Sequence, residues 1–600
     1  MKNTTLLHRL KASLLALALM LAATTMVQAQ STFTNIVAGS NWGNAINWSP
    51  NGIPNAIDAV VNTSSVNLET TNTTENIGLS GAFPFVFGTL STPASGTLGS
   101  IGVTVSAARQ LKAQVSSGTP TINIPQGTLN FQSVLYGDQG YTKTGAGNLQ
   151  FRFNSFAQPI MGTITIQGGA VELSSDSSLG NATNSIVIYD QASLTAGGNT
   201  NLILRPSHSI VLNAPGGAGR LNWHATAFTN IVQCVISESA ANSGLEIKRA
   251  VTQFSGTTGI TVLCNTNTYT GPTIATEGVL ILSNQNAIAL STLTPNGGTV
   301  QFHSGITANA FNVGGLAGTG NLAVQNTTPA AIVLTVGGNN ADTVYSGALS
   351  GAGSLVKVGT GTLDLQGAAN NSSGSVNVSN GIVLLDKTST GSVHAIANGL
   401  VLNGGTARLA GSGSDQIANA NTVTLNSGTF DLNGQTEIIG ALSGNGGTNA
   451  DSVGSGTLQV NVTSGAVTNG STFTGGNLVF GGAGTQVFAG TDIRDAFIPG
   501  MTTTVTNGTF QLGTGGSVIS FGGATGITAT SPGTLALNFS GTFTNNVTGS
   551  GNVAINSTGT GTLSGSDTHT GNTLVNTGTL ALPSGGTTVG GSVITVASNA

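Results

Sequence analysis

The tripeptide Gly-Thr-(Leu/Phe) recurs along the chain at Gly127, Gly361, Gly428, Gly456, Gly508, Gly533, Gly541, Gly561 and Gly578. Many copies run on into strict alternation, as in Leu363-Asp364-Leu365, Phe430-Asp431-Leu432 and Leu580-Ala581-Leu582. A period of two is strand periodicity, with one apolar face and one small polar face. Gly, Asn and Ser clusters separate the runs and supply the positive φ values that tight turns need. Successive related motifs stand roughly 17–28 residues apart, a period that marks a repeat architecture. Helical patterning is nearly absent, and Thr, Val, Ser, Asn and Gly are poor helix formers. The pattern predicts an all-β chain folded as a right-handed parallel β-helix, a solenoid whose coils stack at the strand spacing of about 4.8 Å.

Stacking of that kind explains the composition. Charged residues make up 6 % of the chain, against about 25 % in an ordinary domain, because like charges in register one coil apart repel. Aromatic residues are held to 5 % by a narrow core. With 38 % hydrophobic residues the chain has enough to bury and is not disordered. It has no basic patch to neutralise phosphates, which excludes nucleic acid as a partner. A net charge of −5 over 600 residues is too thin to steer a ligand.

The N-terminus reads as an export signal. Lys2, His8, Arg9 and Lys11 precede an apolar stretch from Ser13 to Ala23, and Val27-Gln28-Ala29 offers small residues at the two positions a signal peptidase reads. Residues 1–29 are therefore expected to be a signal peptide cleaved after Ala29. The apolar stretch is shorter than the roughly 20 residues a span needs. No later segment is a candidate span, so none is expected in the mature chain. Residues 30–140 are expected to form an entry or capping β region, and residues 141–600 the solenoid.

Four segments carry a family likeness. Tyr141-Thr142-Lys143-Thr144-Gly145-Ala146-Gly147-Asn148-Leu149 reads as an opening half-repeat, and Asn267-Thr268-Tyr269-Thr270-Gly271-Pro272-Thr273-Ile274 with Gly278-Val279-Leu280 as a closing half. A near-complete copy runs from Gly351 to Leu385, with Lys357, Gly359, Gly361, Leu363 and Leu365 in place but Ser372-Ser373 where Tyr-Thr is usual. A degenerate copy without the lysine runs from Gly549 to Leu582 and contains Asp567-Thr568-His569-Thr570-Gly571. These segments (141–175, 264–282, 351–385 and 549–582) resemble the autotransporter-associated β-strand repeat of secreted and surface passenger proteins. Trp42-Gly43 and Asn47-Trp48 followed by Pro54 resemble the entry segment of such passengers. The resemblance implies a β-helical stalk at or beyond a bacterial cell surface, associated with the outer membrane if an anchor follows, and it implies no reaction. The sequence stops at Ser598-Asn599-Ala600 without the family's terminal membrane barrel, so either a longer parent protein, the preferred expectation, or release by another route is expected.

Catalytic signals are sparse. Parallel β-helices also carry polysaccharide lyases and glycoside hydrolases, which makes a polysaccharide-degrading enzyme the alternative. Hydrolysis needs two facing carboxylates about 5–10 Å apart, and the sequence shows no acidic pair flanked by His or Arg. The densest charged knot is Asp492-Ile493-Arg494-Asp495, a weak polar site able to hold a cation or sugar, or simply a turn with a local ion pair. Glu238, Glu246, Lys248 and Arg249 form a second charged patch. The mature-chain histidines, His208, His224, His303, His394 and His569, stand singly and are expected in turns or at the surface. Cys234 and Cys264 could form one disulfide or remain two thiols; no Cys or His pair has metal-ligand spacing. The expectation is a non-catalytic surface stalk, adhesin or matrix component with no cofactor, whose partners would be glycans or cell-surface components.

Overall fold

Alternation along each strand becomes stacking between coils. The structure, a computed structural model, describes residues 118–492 apart from 132–133, 152–157, 198–200, 224–228 and 250–258. It also describes residues 500–516, 526–582 and 592–598, and before residue 118 it describes isolated strands only. The expected signal peptide and its cleavage point after Ala29 lie outside the described residues, as does Trp42. The chain is an all-β parallel solenoid of about 19 turns, and its helical element among the described residues is one 3-10 turn, Asp176–Leu179. It divides into two compact units, Met1–Val262 and Leu263–Ala600.

In the first unit Thr121–Asn123, Tyr141–Thr144, Ile164–Ile166, Ser185–Tyr189, Ser209–Asn213 and Val235–Glu238 form one parallel ladder. Thr128–Phe131, Asn148–Phe151, Ala170–Leu173, Ser193–Ala196, Ala218–Trp223 and Gly244–Arg249 form a second. Register partners one coil apart, such as Ile164, Ile186, Ile210 and Ile236, set coils of 22 to 26 residues. Columns of inward side chains are apolar and buried almost throughout, and every such Ile or Leu contributes about 1.5–3 kcal/mol. Near the N-terminus one pairing departs from the rule, since Ser31–Phe33 runs antiparallel to Trp48–Ser49.

The second unit repeats the plan. Thr343–Tyr345, Thr362–Gly367, Ile382–Lys387, Leu400–Leu409, Thr422–Asp431 and Thr448–Ala450 stack in parallel. Further along, Thr436–Ile439, Thr457–Asn461, Asn477–Gly481, Thr503–Val505, Ile527–Ala529 and Val547–Thr548 do the same. Outward side chains form the hydroxyl and amide ladders expected of in-register stacking. The Asn403 amide donates to Asn377 and the Asn426 amide to Asn403, at 3.0 and 2.9 Å, and the Thr528 and Thr548 hydroxyls meet at 3.1 Å.

Two repeat positions need special chemistry. Lys143 and Lys357 point inward within columns of apolar residues, Lys143 between Ile122 and Ile166 and Lys357 between Val336 and Val378. Each ammonium reaches the corner, where it donates to main-chain carbonyls of its own coil and the next. Lys143 Nζ donates to the oxygens of Thr144, Gly145 and, one coil on, Gly168, at 2.8–2.9 Å. Lys357 Nζ donates to Val358 and Gly359 and, at 3.4 Å, to Asn380 of the next coil. Burial pushes the Lys143 pKa down to about 7, while three carbonyl acceptors favour the charged form. At the corresponding place in the degenerate copy Ile555 is buried.

Corner glycines differ in how closely they approach the previous coil. Gly381 has φ +67°, and a Cβ there would stand 2.4 Å from Gly359 O and 2.5 Å from Gly361 O of the previous coil. Gly508 has φ +59° and the same conflict with Gly484 O, at 2.4 Å. Gly465 has φ +70° but open space around it. Gly381→Ala and Gly465→Ala should both incur the left-handed backbone penalty of about 1–2 kcal/mol. Only Gly381→Ala should add a packing loss, of about 2 kcal/mol or more. Urea midpoints of the two variants would test this; equal shifts would mean that the corner does not constrain the coil.

Candidate functional site

One outward face brings carboxylates together where the linear sequence does not. Leu363 and Leu365 are buried inward, so alternation turns Asp364 and Gln366 outward. On the next coil Leu384 lies beside Asp364 and Asp386 beside Gln366. Strand spacing and rise place the Cα atoms of Asp364 and Asp386 about 8 Å apart. Gln366 Nε2 donates to Asp364 Oδ2 at 2.7 Å, and Asp364 Oδ1 has no partner. Burial raises the Asp364 pKa, the charge of Asp386 adds to the rise, and the Gln366 bond opposes it.

Two coils further, Arg408 lies beside Leu384 and Asp431 beside Arg408. Arg408 Nε donates to Asp431 Oδ2 at 2.8 Å. Burial works against the Asp431 anion, but the backbone N–H groups of Ser452 and Asn433 and the Arg408 side chain hold its pKa below the usual carboxylate value. The strip thus pairs a half-buried acid of raised pKa with a second carboxylate, beside an Arg–Asp bridge. A glycosidase uses a pair of carboxyl groups flanking the scissile bond, one as acid and one as base or nucleophile, and the same groups can hydrogen-bond sugar hydroxyls without cleaving anything.

The residues singled out from the sequence fare differently. Asp492 is the inward residue of the short strand Thr491–Asp492, 1 % exposed and in register with Phe473, so it is not on a solvated turn; Arg494 and Asp495 lie outside the described residues. Cys234 and Cys264 are free thiols, one in each unit, Cys234 buried and Cys264 half-buried. Glu246 accepts from Arg220 Nε at 2.7 Å, and Glu238 from the Ser243 amide. Among the described residues no group of three His, Cys, Asp or Glu side chains could hold a metal ion.

Two histidines expected at the surface are buried and paired. His208 Nε2 lies 3.2 Å from Asp176 Oδ1, and its Nδ1 3.1 Å from Asn184 O. Burial pulls the His208 pKa down, but the Asp176 carboxylate and the Asn184 carbonyl together outweigh it and the net shift is upward. His569 Nδ1 meets Asp567 Oδ1 at 2.5 Å, its Nε2 meets Thr573 Oγ1 at 3.0 Å, and that hydroxyl meets Ser592 Oγ at 2.7 Å. The connectivity is that of a hydrolase triad, yet Thr573 is fully buried. An earlier repeat makes the same bridge without a base, since Tyr269 Oη meets Thr273 Oγ1 and Thr273 meets Ser291 Oγ. The relay is the repeat's corner ladder, with His569 in the tyrosine's place.

A polar seam crosses the core of the second unit. Gln416 exchanges hydrogen bonds with the Lys387 backbone, and Lys387 Nζ donates to Gly347 O. Glu437 points inward in register with Leu458, and its carboxylate accepts the Gln416 and Ile417 amides at 2.9 and 3.1 Å. Burial pushes the Glu437 pKa up to about 8, the two amides oppose that, and Asp415 adds to it; burial pushes Lys387 down to about 8. By contrast the outward positions of successive coils at Thr504-Val505-Thr506, Thr528-Ala529-Thr530, Thr548-Gly549-Ser550 and Thr568-His569-Thr570 present hydroxyls and no charge.

No protein-family model matches the chain, and no solved structure does. A curated protein similar to part of it is the Adhesin BmaC autotransporter of Brucella suis biovar 1 (strain 1330), 35 % identical over 167 residues, or 26 % of this chain. The match spans 5 % of that protein's length. No helix among the described residues is long and apolar enough to cross a membrane, which says nothing of spans made by strands.

A raised carboxyl pKa stabilises the fold below the unfolded value and loses that contribution as pH climbs through the folded one. Stability of the second unit should therefore carry a term that falls as pH rises from the ordinary carboxylate range to about 8 and levels off above it. Glu437→Gln should remove that term, so that the difference in urea midpoint between variant and wild type changes with pH. A constant difference from pH 5 to 9 would show that Glu437 does not titrate in the fold. For the thiols, burial pushes Cys234 up to about 12. Maleimide should therefore label the half-buried Cys264 first, and Cys234 only on unfolding. Labelling of neither thiol without reductant would instead reveal a disulfide.

Proposed function

We propose that this chain is a non-catalytic passenger segment, a β-solenoid stalk displayed at or beyond the cell surface that takes part in adhesion. The partial similarity to an autotransporter adhesin carries the reading. It is supported by a parallel solenoid whose outward positions, among the described residues, include stacked hydroxyl and amide ladders. Such a surface engages neutral partners by many weak hydrogen bonds, with little electrostatic steering. Export follows from the basic, apolar and small-residue order of residues 1–29.

A second reading, a glycoside hydrolase, draws on the Asp364–Asp386 pair alone. One experiment separates the two. The purified chain is incubated with immobilised cells and with a panel of neutral and acidic polysaccharides. Retention is scored by labelled protein and cleavage by soluble oligosaccharides. The adhesive reading expects retention without release. No retention on any surface would count against it, and release abolished by Asp364→Asn or Asp386→Asn would replace it with the hydrolase.

A further inference from the structure

Asn–Gly steps recur at the coil corners, and they differ in what the glycine amide does. At Asn380-Gly381 and at Asn507-Gly508 the glycine N–H turns back on the side chain before it, donating to that asparagine's own Oδ1 at 2.8 Å in both. At three of the six other described Asn–Gly steps the amide is committed elsewhere. Gly434 N–H donates to Asp451 Oδ1 at 2.6 Å, Gly446 N–H to Leu425 O at 3.1 Å and Gly470 N–H to Gly444 O at 2.8 Å. Asn380 and Asn507 are both exposed to water.

We propose that Asn380-Gly381 and Asn507-Gly508 are sites of spontaneous deamidation, with water as the co-reactant. The glycine amide, after giving its proton to hydroxide, attacks the asparagine Cγ. A nitrogen–Cγ bond forms, the Cγ–Nδ2 bond breaks and ammonia leaves with a proton from solvent. Water then opens the succinimide at either carbonyl, giving aspartate or isoaspartate. The inward turn of the amide holds nucleophile and carboxamide together, and pre-positioning of reacting atoms is where intramolecular reactions gain most of their rate. Where another acceptor holds the amide, that geometry is withheld.

The products strike the corners least able to absorb them. Each conversion adds one negative charge to a chain of net charge −5. Isoaspartate also inserts a methylene into the main chain immediately before Gly381 or Gly508, whose approach to the previous coil leaves no room for a Cβ. At the first site the Asn380 carbonyl is a Lys357 Nζ acceptor, so a shifted backbone also loosens that clamp. The two steps therefore act as ageing sites from which coils of the second unit loosen.

The test uses the full chain, kept folded at mildly alkaline pH, sampled over time and mapped by proteolysis and mass spectrometry. Isoaspartyl methyltransferase serves as the probe for isoaspartate, and a denatured sample at the same pH is the reference. In the folded chain Asn380 and Asn507 should convert on the order of a hundredfold ahead of Asn433, Asn445 and Asn469, the factor that ångström-scale misplacement costs. In the denatured chain all five should convert at similar rates. Equal rates in the folded chain, or intact Asn380 and Asn507 there, would overturn the proposal. A chain carrying Asn380→Ser and Asn507→Ser should accumulate acidic variants far more slowly than wild type; an unchanged rate would also overturn it.

Discussion

Parallel in-register stacking is the constraint on which everything else here depends. A residue in a solenoid strand has its counterpart one coil away at about 4.8 Å on either side, so each position is judged as a column and not as a point. An inward column must be apolar almost throughout, as Tyr141, Ile164, Ile186, Ile210 and Ile236 are. An outward column must tolerate its own repetition, and Asn and Thr do so because each can donate to the next and accept from the last. A charge column cannot, and that accounts for a chain with 6 % charged residues.

Corners are where the ladder stops and backbone groups need other partners. Two solutions are visible. Glycine lets the main chain of one coil approach the carbonyls of the previous one, as at Gly381 and Gly508. A buried lysine supplies up to three donors at once, as at Lys143 and Lys357. A polar group so placed costs little because it is satisfied, whereas the Asn449 amide, buried with neither of its polar atoms bonded, meets the full cost. Glu437 is intermediate, with its carboxylate bound to two amides but buried deeply enough to resist ionisation.

How much of this could be read from the sequence follows from the same logic. Period-two alternation and the Gly-Thr-(Leu/Phe) spacing gave the parallel β-solenoid, because both are local consequences of stacking. The lysine in Tyr141-Thr142-Lys143-Thr144-Gly145 and in Ser354-Leu355-Val356-Lys357 was visible as a repeat position, but not as a buried one. Nothing local distinguishes an inward lysine from an outward one until its column partners are known. Asp364 and Asp386 were missed for the same reason. Their proximity exists only once the coils are in register, and a search for adjacent acidic pairs passes over them. His208 and His569 looked solitary because Asp176 is a full coil from the first, while Asp567 lies two residues before the second. That i, i+2 spacing, which puts both on one face of a strand-like segment, was the signal available for His569.

The scarcity of charge also bears on what such a surface can recognise. Of the charged groups the structure describes, Asp431 is tied to Arg408 and Glu246 to Arg220 across coils, and Lys143, Lys357, Lys387 and Glu437 are turned inward. Outward ladders such as Asn377–Asn403–Asn426 and Thr528–Thr548 hold hydroxyls and amides whose orientation is fixed by their neighbours. Threonine adds to this stiffness through its restricted χ1. Order of that kind lowers the entropy lost when a ligand docks, and it repeats along the sheet, so many identical weak contacts can add where one alone would not hold. In the adhesive role proposed above, multiplicity of contact would take over the part that electrostatics plays at a more charged interface.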